Sequence, residues 1–281
     1  MPGADNPSER AGRVEPALHL SDDLHLIEAA VRGAGEIALS YTPKAARSWL
    51  KAGNSPVTEA DMASDKHLHD TLTVSRPGYG WISEESRSKP AAPGNGQQRT
   101  FVVDPIDGTR GFMDGGDEWT ICVAILQDGV PVVGVVYNPT RDEMFGAVSG
   151  GGARCNDAAI SVSRQDSLTG ARLAASKKAV RTLGKASSEV EARYVPSLAY
   201  RVAGVASGVY DGTISTGRAH IWDIAAPAVI VAEAGGLVTD SHATGPDYTA
   251  QDCRVPPLVV AGPELHPLLC AALQSAPGQG Q

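Results

Sequence analysis

The chain has 281 residues, enough for one large enzyme core or two lobes sharing an interface. Its 42% hydrophobic and 20% charged residues suit an ordinary globular protein, and no stretch approaches the roughly 20 apolar residues that would span a bilayer. Asp plus Glu number 32 against 24 Lys plus Arg, and the formal net charge of -8 argues against nonspecific nucleic-acid binding. A nucleotide substrate stays open, because bound cations can reverse a local sign.

The first residues are polar to about Pro16 and lack the basic start and apolar run of a signal peptide. Residues 1–20 and 276–281 are expected to be poorly ordered tails. Cys122, Cys155, Cys253 and Cys270 show neither zinc-knuckle nor CxxC spacing. They read as reduced, mostly buried thiols, which favours a cytoplasmic protein.

An amphipathic helix is expected over residues 21–40, where Leu24, Ile27, Val31, Ala34 and Ile37/Ala38 recur at helical spacing. Ser21 suits its cap, and Asp22 and Asp23 its positive end. A turn-rich loop at residues 51–56 precedes a second helix that begins near Thr58 and ends before Pro77. Thr58 and Asp61 have capping-box spacing, with Asp in place of Glu. Short strands follow at residues 80–83 and 100–103, the second stopped by Asp104-Pro105. The middle is β-rich, with strands at 119–126, 130–137, 144–148 and 160–163 and turns at Gln127-Asp128-Gly129 and Gly150-Gly151-Gly152. Helices are expected at residues 198–206, from Trp222-Asp223 to Gly235-Gly236, and at 264–273, with strands at 237–238 and 258–260. A seam between residues 155 and 175 would divide an N-terminal lobe, 21–160, from a C-terminal lobe, 161–275.

The chemistry concentrates in Asp104-Pro105-Ile106-Asp107-Gly108-Thr109, at the carboxyl end of a strand. Two carboxylates three residues apart, with the Ile106 carbonyl between them, make an oxygen-only ligand set suited to a hard cation such as Mg²⁺. Backbone N–H groups at Gly108 and Thr109 can hold a phosphate. A surface turn explains Pro105 and Gly108 equally well. It does not explain why Asp61, Glu84, Glu85 and Asp223 also stand at the ends of separate elements. For Asp223 alone, a place at a helix N-terminus is sufficient reason.

Pro56-Val57-Thr58-Glu59-Ala60-Asp61, Ile82-Ser83-Glu84-Glu85-Ser86, the Asp104–Thr109 segment and Ile221-Trp222-Asp223-Ile224-Ala225-Ala226 resemble, in order and spacing, the motifs of the inositol monophosphatase superfamily. Gly134-Val135-Val136-Tyr137-Asn138-Pro139, Gly151-Gly152-Ala153 and Glu233-Ala234-Gly235-Gly236 extend the likeness over about residues 22–272. The resemblance implies an α+β fold, a five-layer αβαβα sandwich, and a Mg²⁺-dependent phosphatase site with two or three ions. It implies that Glu84, Asp104 and the Ile106 carbonyl hold a first metal and that Asp104, Asp107 and Asp223 hold a second. Asp61 would support a third, Thr109 with Glu84 would activate the attacking water, and the Gly108 and Thr109 amides would bind the phosphate. Metals neutralise the ester and acidify a water, so no protein nucleophile is needed. The serines carry no Gly-x-Ser-x-Gly pattern.

After Thr109 the chain continues Arg110-Gly111-Phe112. This resembles the 3′(2′),5′-bisphosphate nucleotidases more than the Thr-Asn-Phe of inositol monophosphatases. Ile221-Trp222-Asp223 and Ser197-Leu198-Ala199-Tyr200 lean the same way. Such enzymes remove the 3′-phosphate of adenosine 3′,5′-bisphosphate, a by-product of sulfate assimilation. Arg110 and Arg218 are candidates to meet a second phosphate, and Lys51 resembles a family lysine near the metals. Residues 174–195 are the expected specificity segment. His220 reads as a packing residue. An inositol-1-phosphate, sugar-phosphate or histidinol-phosphate phosphatase is the alternative, and a binding protein that retains the fold without activity is a further one. The expected partner is a small phosphate ester, with no nucleic acid and no membrane. The chain is expected to be a monomer or homodimer, and the resemblance implies lithium inhibition.

Overall fold

The computed structural model describes residues 16–41, 48–50, 56–86, 98–217 and 219–275. Lys51, Arg218 and residues 1–15 and 276–281 of the expected tails lie outside the described residues.

Helix α1 spans Pro16–Ser40, so Ser21 is not its cap and residues 16–20 are helical rather than tail. Proline is well tolerated in a first helical turn, where its missing N–H would have no partner. The displaced start puts Asp23 within the helix, buried and facing the sheet. It accepts from Arg76 Nε at 2.7 Å, from Arg99 Nη1 at 2.9 Å and from the Tyr79 hydroxyl at 2.9 Å. Strands β1 (Ser48–Leu50) and β2 (Pro56–Thr58) pair antiparallel. Helix α2 (Glu59–Ser75) follows, opened by the expected Thr58–Asp61 capping box.

Strands β3 (Gly80–Ser83), β4 (Arg99–Asp107), β5 (Thr120–Gln127), β6 (Val130–Asn138), β7 (Glu143–Val148), β8 (Ala153–Cys155) and β9 (Ala158–Ala159) lie in chain order in one sheet. Only β3 and β4 are parallel neighbours; the other pairs are antiparallel. Positive φ at Asp128 (53°) and Gly129 (82°) makes the β5–β6 turn of the type that matches strand twist. Residues 160–163 do not form the expected strand. Val162 N instead donates to Ala234 O, at the end of a helix. The short helix α3 (Thr109–Met113) joins β4 to β5.

The later chain supplies β10 (Arg172–Ala174), α4 (Lys177–Arg181), β11 (Glu191–Arg193), α5 (Leu198–Ala206), β12 (Gly212–Ile214), β13 (Ala219–His220) and α6 (Ile221–Glu233). It closes with β14 (Leu237–Thr239), β15 (Arg254–Val255), β16 (Val259–Ala261) and α7 (His266–Ser275). A second sheet has the order β11-β10-β12-β16-β14, and β13 pairs with β15.

Strand alternation assigns the layers. Phe101, Val103, Ile121 and Val123 face Ile27, Val31, Leu68 and Leu72 of α1 and α2. Val102, Cys122, Ala124 and Val136 face Val202 and Val205 of α5 and Ile224 and Ile230 of α6. Val260 of the second sheet joins that same cluster. On the far side of the second sheet, Leu173, Ile214 and Val259 meet Val180 of α4 and Leu269 and Leu273 of α7. The result is a five-layer αβαβα sandwich. Helix α6 is seated tightly on the first sheet, since a methyl group at Gly134 would collide with the Ala226 carbonyl oxygen.

Candidate active site

The sequence places Asp104 at the end of a strand, but β4 continues to Asp107. Residues three apart on a regular strand point to opposite faces. Here the register shifts: Asp104 is opposite Cys122, whereas Asp107 is opposite Thr120. Three steps along β4 thus match two along β5, as in a β-bulge. Cys122 and Thr120 share a face of their strand, so the bulge returns Asp107 to the face that Asp104 occupies. That face looks toward α5 and α6. Pro105 within the irregularity removes an N–H that a regular ladder would need.

Asp223, in the first turn of α6, completes the group. Oxygens of Asp104, Asp107 and Asp223 lie within 4.8 Å of one another. The His220 backbone N–H donates to Asp223 Oδ2 at 2.8 Å, and the His220 ring stacks on Trp222 with centroids 4.6 Å apart. His220 therefore packs as expected. Asp107 Oδ2 accepts from the Ser197 hydroxyl and from the Ala199 N–H, both at 2.6 Å, at the N-terminus of α5. Ile106 N donates to Asp104 Oδ1 at 3.1 Å.

Burial pushes the Asp104 carboxyl well above its ordinary range, and the charges of Glu84, Asp107, Asp223 and Asp61 push it further. Asp223 is raised by burial and by Asp107. Burial lifts Asp107 to about 6, against the hydrogen bonds from Ser197 and Ala199 and the charge of Arg201, which oppose the rise. Anionic oxygens drawn together away from water are stabilised by protons or by cations.

Around this core, Gly108 has φ of 91°, a left-handed geometry that glycine adopts without penalty, and the chain turns there into α3. A side chain at Gly108 would also press on Ser197. The Thr109 hydroxyl donates to the Ile106 carbonyl at 3.0 Å and lies 3.3 Å from Asp61 Oδ1. Asp61 Oδ2 accepts from the Thr58 N–H at 2.8 Å and from its hydroxyl at 2.5 Å, so one carboxylate both caps α2 and reaches Thr109. Glu84 leaves β3 with its N–H bonded to Val103 O at 3.1 Å, half-buried beside the core group.

Among the described residues, the structure thus gathers Asp104, Asp107 and Asp223 most tightly. Glu84 and Asp61 act on the same charge field, and Thr109 and Ile106 meet through their oxygens. Arg110 is exposed in α3. Sequence reading missed Thr120, Ser197, the Ala199 N–H and Arg201 as supports of Asp107. Ser197 precedes a helical pattern, a capping signal, but nothing in the sequence says what the cap also holds. None of the four cysteines is in a disulfide, and burial raises the Cys122 thiol pKa, with the charges of Asp107 and Asp104 adding to the rise.

A profile of the inositol monophosphatase family matches residues 20–277. The chain belongs to this family. An inositol-1-monophosphatase of Mesorhizobium japonicum is 34% identical over 201 residues, which is 68% of this chain and 74% of that protein. A protein of Pasteurella multocida named Nus factor SuhB is 35% identical over 225 residues, 76% of this chain and 83% of its own length. The crystal structure of the extragenic suppressor protein suhB from Bartonella henselae superposes with a TM-score of 0.81 at 29% identity, covering 90% of this chain and 99% of that one. The chain is an inositol monophosphatase family phosphatase. Among its described residues no helix is long and apolar enough to cross a membrane.

Proposed function

We propose that the chain is a Mg²⁺-dependent phosphomonoesterase that hydrolyses a small phosphorylated metabolite with an activated water. The observation that carries this reading is the close group of buried Asp104 and half-buried Asp107 and Asp223, which supplies only oxygen donors and repels itself. Such a set fits a hard divalent cation. Asp104, Asp107 and Asp223 would hold one ion, Glu84, Asp104 and the Ile106 carbonyl another, and Asp61 a third. Bound there, the ions supply charge neutralisation of the phosphate and a more acidic water.

The protein groups supply the rest. The Thr109 hydroxyl, tied to Asp61 and the Ile106 carbonyl, orients the water, and Glu84 takes part in its deprotonation. With the left-handed turn at Gly108 leading into α3, the amides of residues 108 and 109 would bind the phosphate. Residues 21–160 and 161–275 act as two lobes meeting at the site, and Asp223 is the second lobe's ligand.

For the ester, adenosine 3′,5′-bisphosphate is the first reading. Specificity is decided by site residues rather than by the fold, and Arg110-Gly111-Phe112 is the segment that continues the phosphate-binding turn. Exposed one residue beyond Thr109, Arg110 can meet a second phosphate. Inositol 1-phosphate is the second reading, supported by relatives that carry the inositol monophosphatase name. The test is phosphate release with Mg²⁺, comparing kcat/KM for the two esters. A preference for the nucleotide of about a hundredfold, roughly 2.7 kcal/mol of transition-state discrimination, is expected. The reverse preference replaces the first reading by the second, metal-independent turnover refutes the Mg²⁺-dependent reading, and absent turnover on both removes these esters as substrates. Lithium is expected to inhibit, and an unchanged rate in high LiCl at limiting Mg²⁺ would count against the metal arrangement.

A further inference from the structure

Arg201 is a half-buried arginine in the first turn of α5, and the chemistry above does not use it. Its side chain folds back toward the helix N-terminus. Nε donates to the Val195 carbonyl at 2.6 Å and Nη2 to the Pro196 carbonyl at 3.2 Å. The ring of Tyr194 lies against the guanidinium, 5.2 Å from centroid to Cζ. The guanidinium thus grips the three residues that lead into Ser197. Ser197 caps α5 by accepting from Tyr200 N at 2.9 Å and meets Thr120 Oγ1 at 3.0 Å. It also donates to Asp107 Oδ2, as does the next-but-one amide, Ala199 N. Two hydrogen bonds on one carboxylate oxygen fix the plane of that carboxylate and so the direction of its other oxygen.

We propose that Arg201 is a positioning residue for Asp107. By clamping the carbonyls of Val195 and Pro196 it holds the α5 N-terminus in the one placement from which Ser197 and Ala199 can lock Asp107 Oδ2. Oδ1 is thereby set relative to Asp104 and Asp223. A fork of donors is needed to span two successive carbonyls, and lysine, a single point donor, cannot reproduce it. The proposal rests on the metal-dependent reading above and adds a link between the expected specificity segment and metal affinity: residues 194–197 and Asp107 are held as one unit.

The test is Mn²⁺ titration by calorimetry on the full chain, alongside kcat, KM and Tm in EDTA, for the wild type, Arg201→Met, Arg201→Lys and Ser197→Ala. Leu269→Ala, a buried α7 change on the far side of the second sheet, sets the baseline for general destabilisation. Loss of a group that orients a metal ligand typically weakens binding by about 10- to 100-fold. Arg201→Met is expected to weaken Mn²⁺ binding and lower kcat by at least about tenfold with KM little changed, and Arg201→Lys to recover only part of either. Ser197→Ala, which leaves the clamp intact, is expected to weaken Mn²⁺ binding in the same direction, and this holds the proposal to account even if Arg201→Met does not fold. Wild-type Mn²⁺ affinity in a folded Arg201→Met or Ser197→Ala protein, or an equal loss in Leu269→Ala, overturns the positioning role. A wild-type protein that binds no Mn²⁺ overturns the metal-dependent reading itself.

Discussion

Asp23 on α1 is met by the guanidiniums of Arg76 and Arg99 and by the Tyr79 hydroxyl, whereas Asp104, Asp107 and Asp223 crowd together and accept from neutral hydroxyl and amide donors. Both groups withdraw carboxylates from water. Around Asp23 the chain supplies the opposing charges, and the network ties α1 to the end of α2 and to β4. Around Asp107 the chain supplies hydroxyls, amides and one arginine committed to carbonyls, and the three acids stay raised above their ordinary pKa. The first arrangement is complete in itself. The second is left with an excess of negative charge, which the proposed cations would compensate.

Asp107→Asn breaks the comparison most sharply. It removes a ligand charge but also removes repulsion, so activity and stability should part company. Turnover is expected to fall by at least about a thousandfold, roughly 4 kcal/mol in the barrier, while the EDTA-treated protein melts no lower than wild type. Near-normal kcat in a folded Asp107→Asn protein would sink the metal assignment. Asp23→Asn should show the opposite pattern. Breaking a buried pair costs about 3 kcal/mol or more, so urea unfolding should shift well to lower concentration, with kcat of the folded fraction unchanged. A loss of kcat without a loss of stability there would mean that the two acidic regions are not separable.

The two regions were also unequally legible. Asp61, Glu84, Asp104, Asp107 and Asp223 were singled out because each sits in a short segment that resembles a family motif, and the structure brings the oxygens of Asp104, Asp107 and Asp223 together. Most strands and helices could be read for the same reason, since alternation and helical spacing are local. Asp23 was read as serving the positive end of a helix because its actual partners, Arg76 and Arg99, are 53 and 76 residues away. The bulge was hidden because Asp104-Pro105 looks like a strand end, and only the pairing with β5 reveals the extra residue. Ser197 reaches Asp107 across 90 residues, so its role depends wholly on how the layers stack. Residues 160–163 have strand-like composition but are not in a sheet; Ile160 N donates to Ala153 O of β8 and Val162 N to Ala234 O at the end of α6.

Gly134→Ala tests whether the second region depends on layer spacing. The added methyl meets the Ala226 carbonyl, a backbone atom that cannot rotate away. Helix α6 must lift from β6 and carry Asp223 with it. Overpacking of this kind costs about 1–3 kcal/mol. The expected outcome is a lower Tm together with weaker Mg²⁺ activation, seen as a higher Mg²⁺ concentration for half-maximal rate. A lower Tm with unchanged Mg²⁺ dependence would show that Asp223 tolerates movement of its helix, and the close approach would then matter for folding alone.

The smallest expected effect sharpens the contrast through pH. Asp104 and Asp223 titrate well above the ordinary carboxylate pKa near ~4, and Asp107 at about 6. In the metal-free fold these groups hold protons that the unfolded chain has already released. Folding is therefore favoured most below about pH 4, as far as these groups are concerned, and that contribution is lost as pH rises through the folded values. Melting in EDTA should fall by about 3 °C or more between pH 5 and pH 8. Saturating Mg²⁺ should reduce that slope, because the cation compensates the charges that the departing protons leave behind. Asp223→Asn should flatten the slope in EDTA and also remove most of the gain from Mg²⁺, whereas Asp23→Asn should leave the Mg²⁺ gain in place. An EDTA melting temperature that does not change with pH would mean that water or monovalent ions already neutralise the three acids, and the distinction from Asp23 would lose its energetic basis.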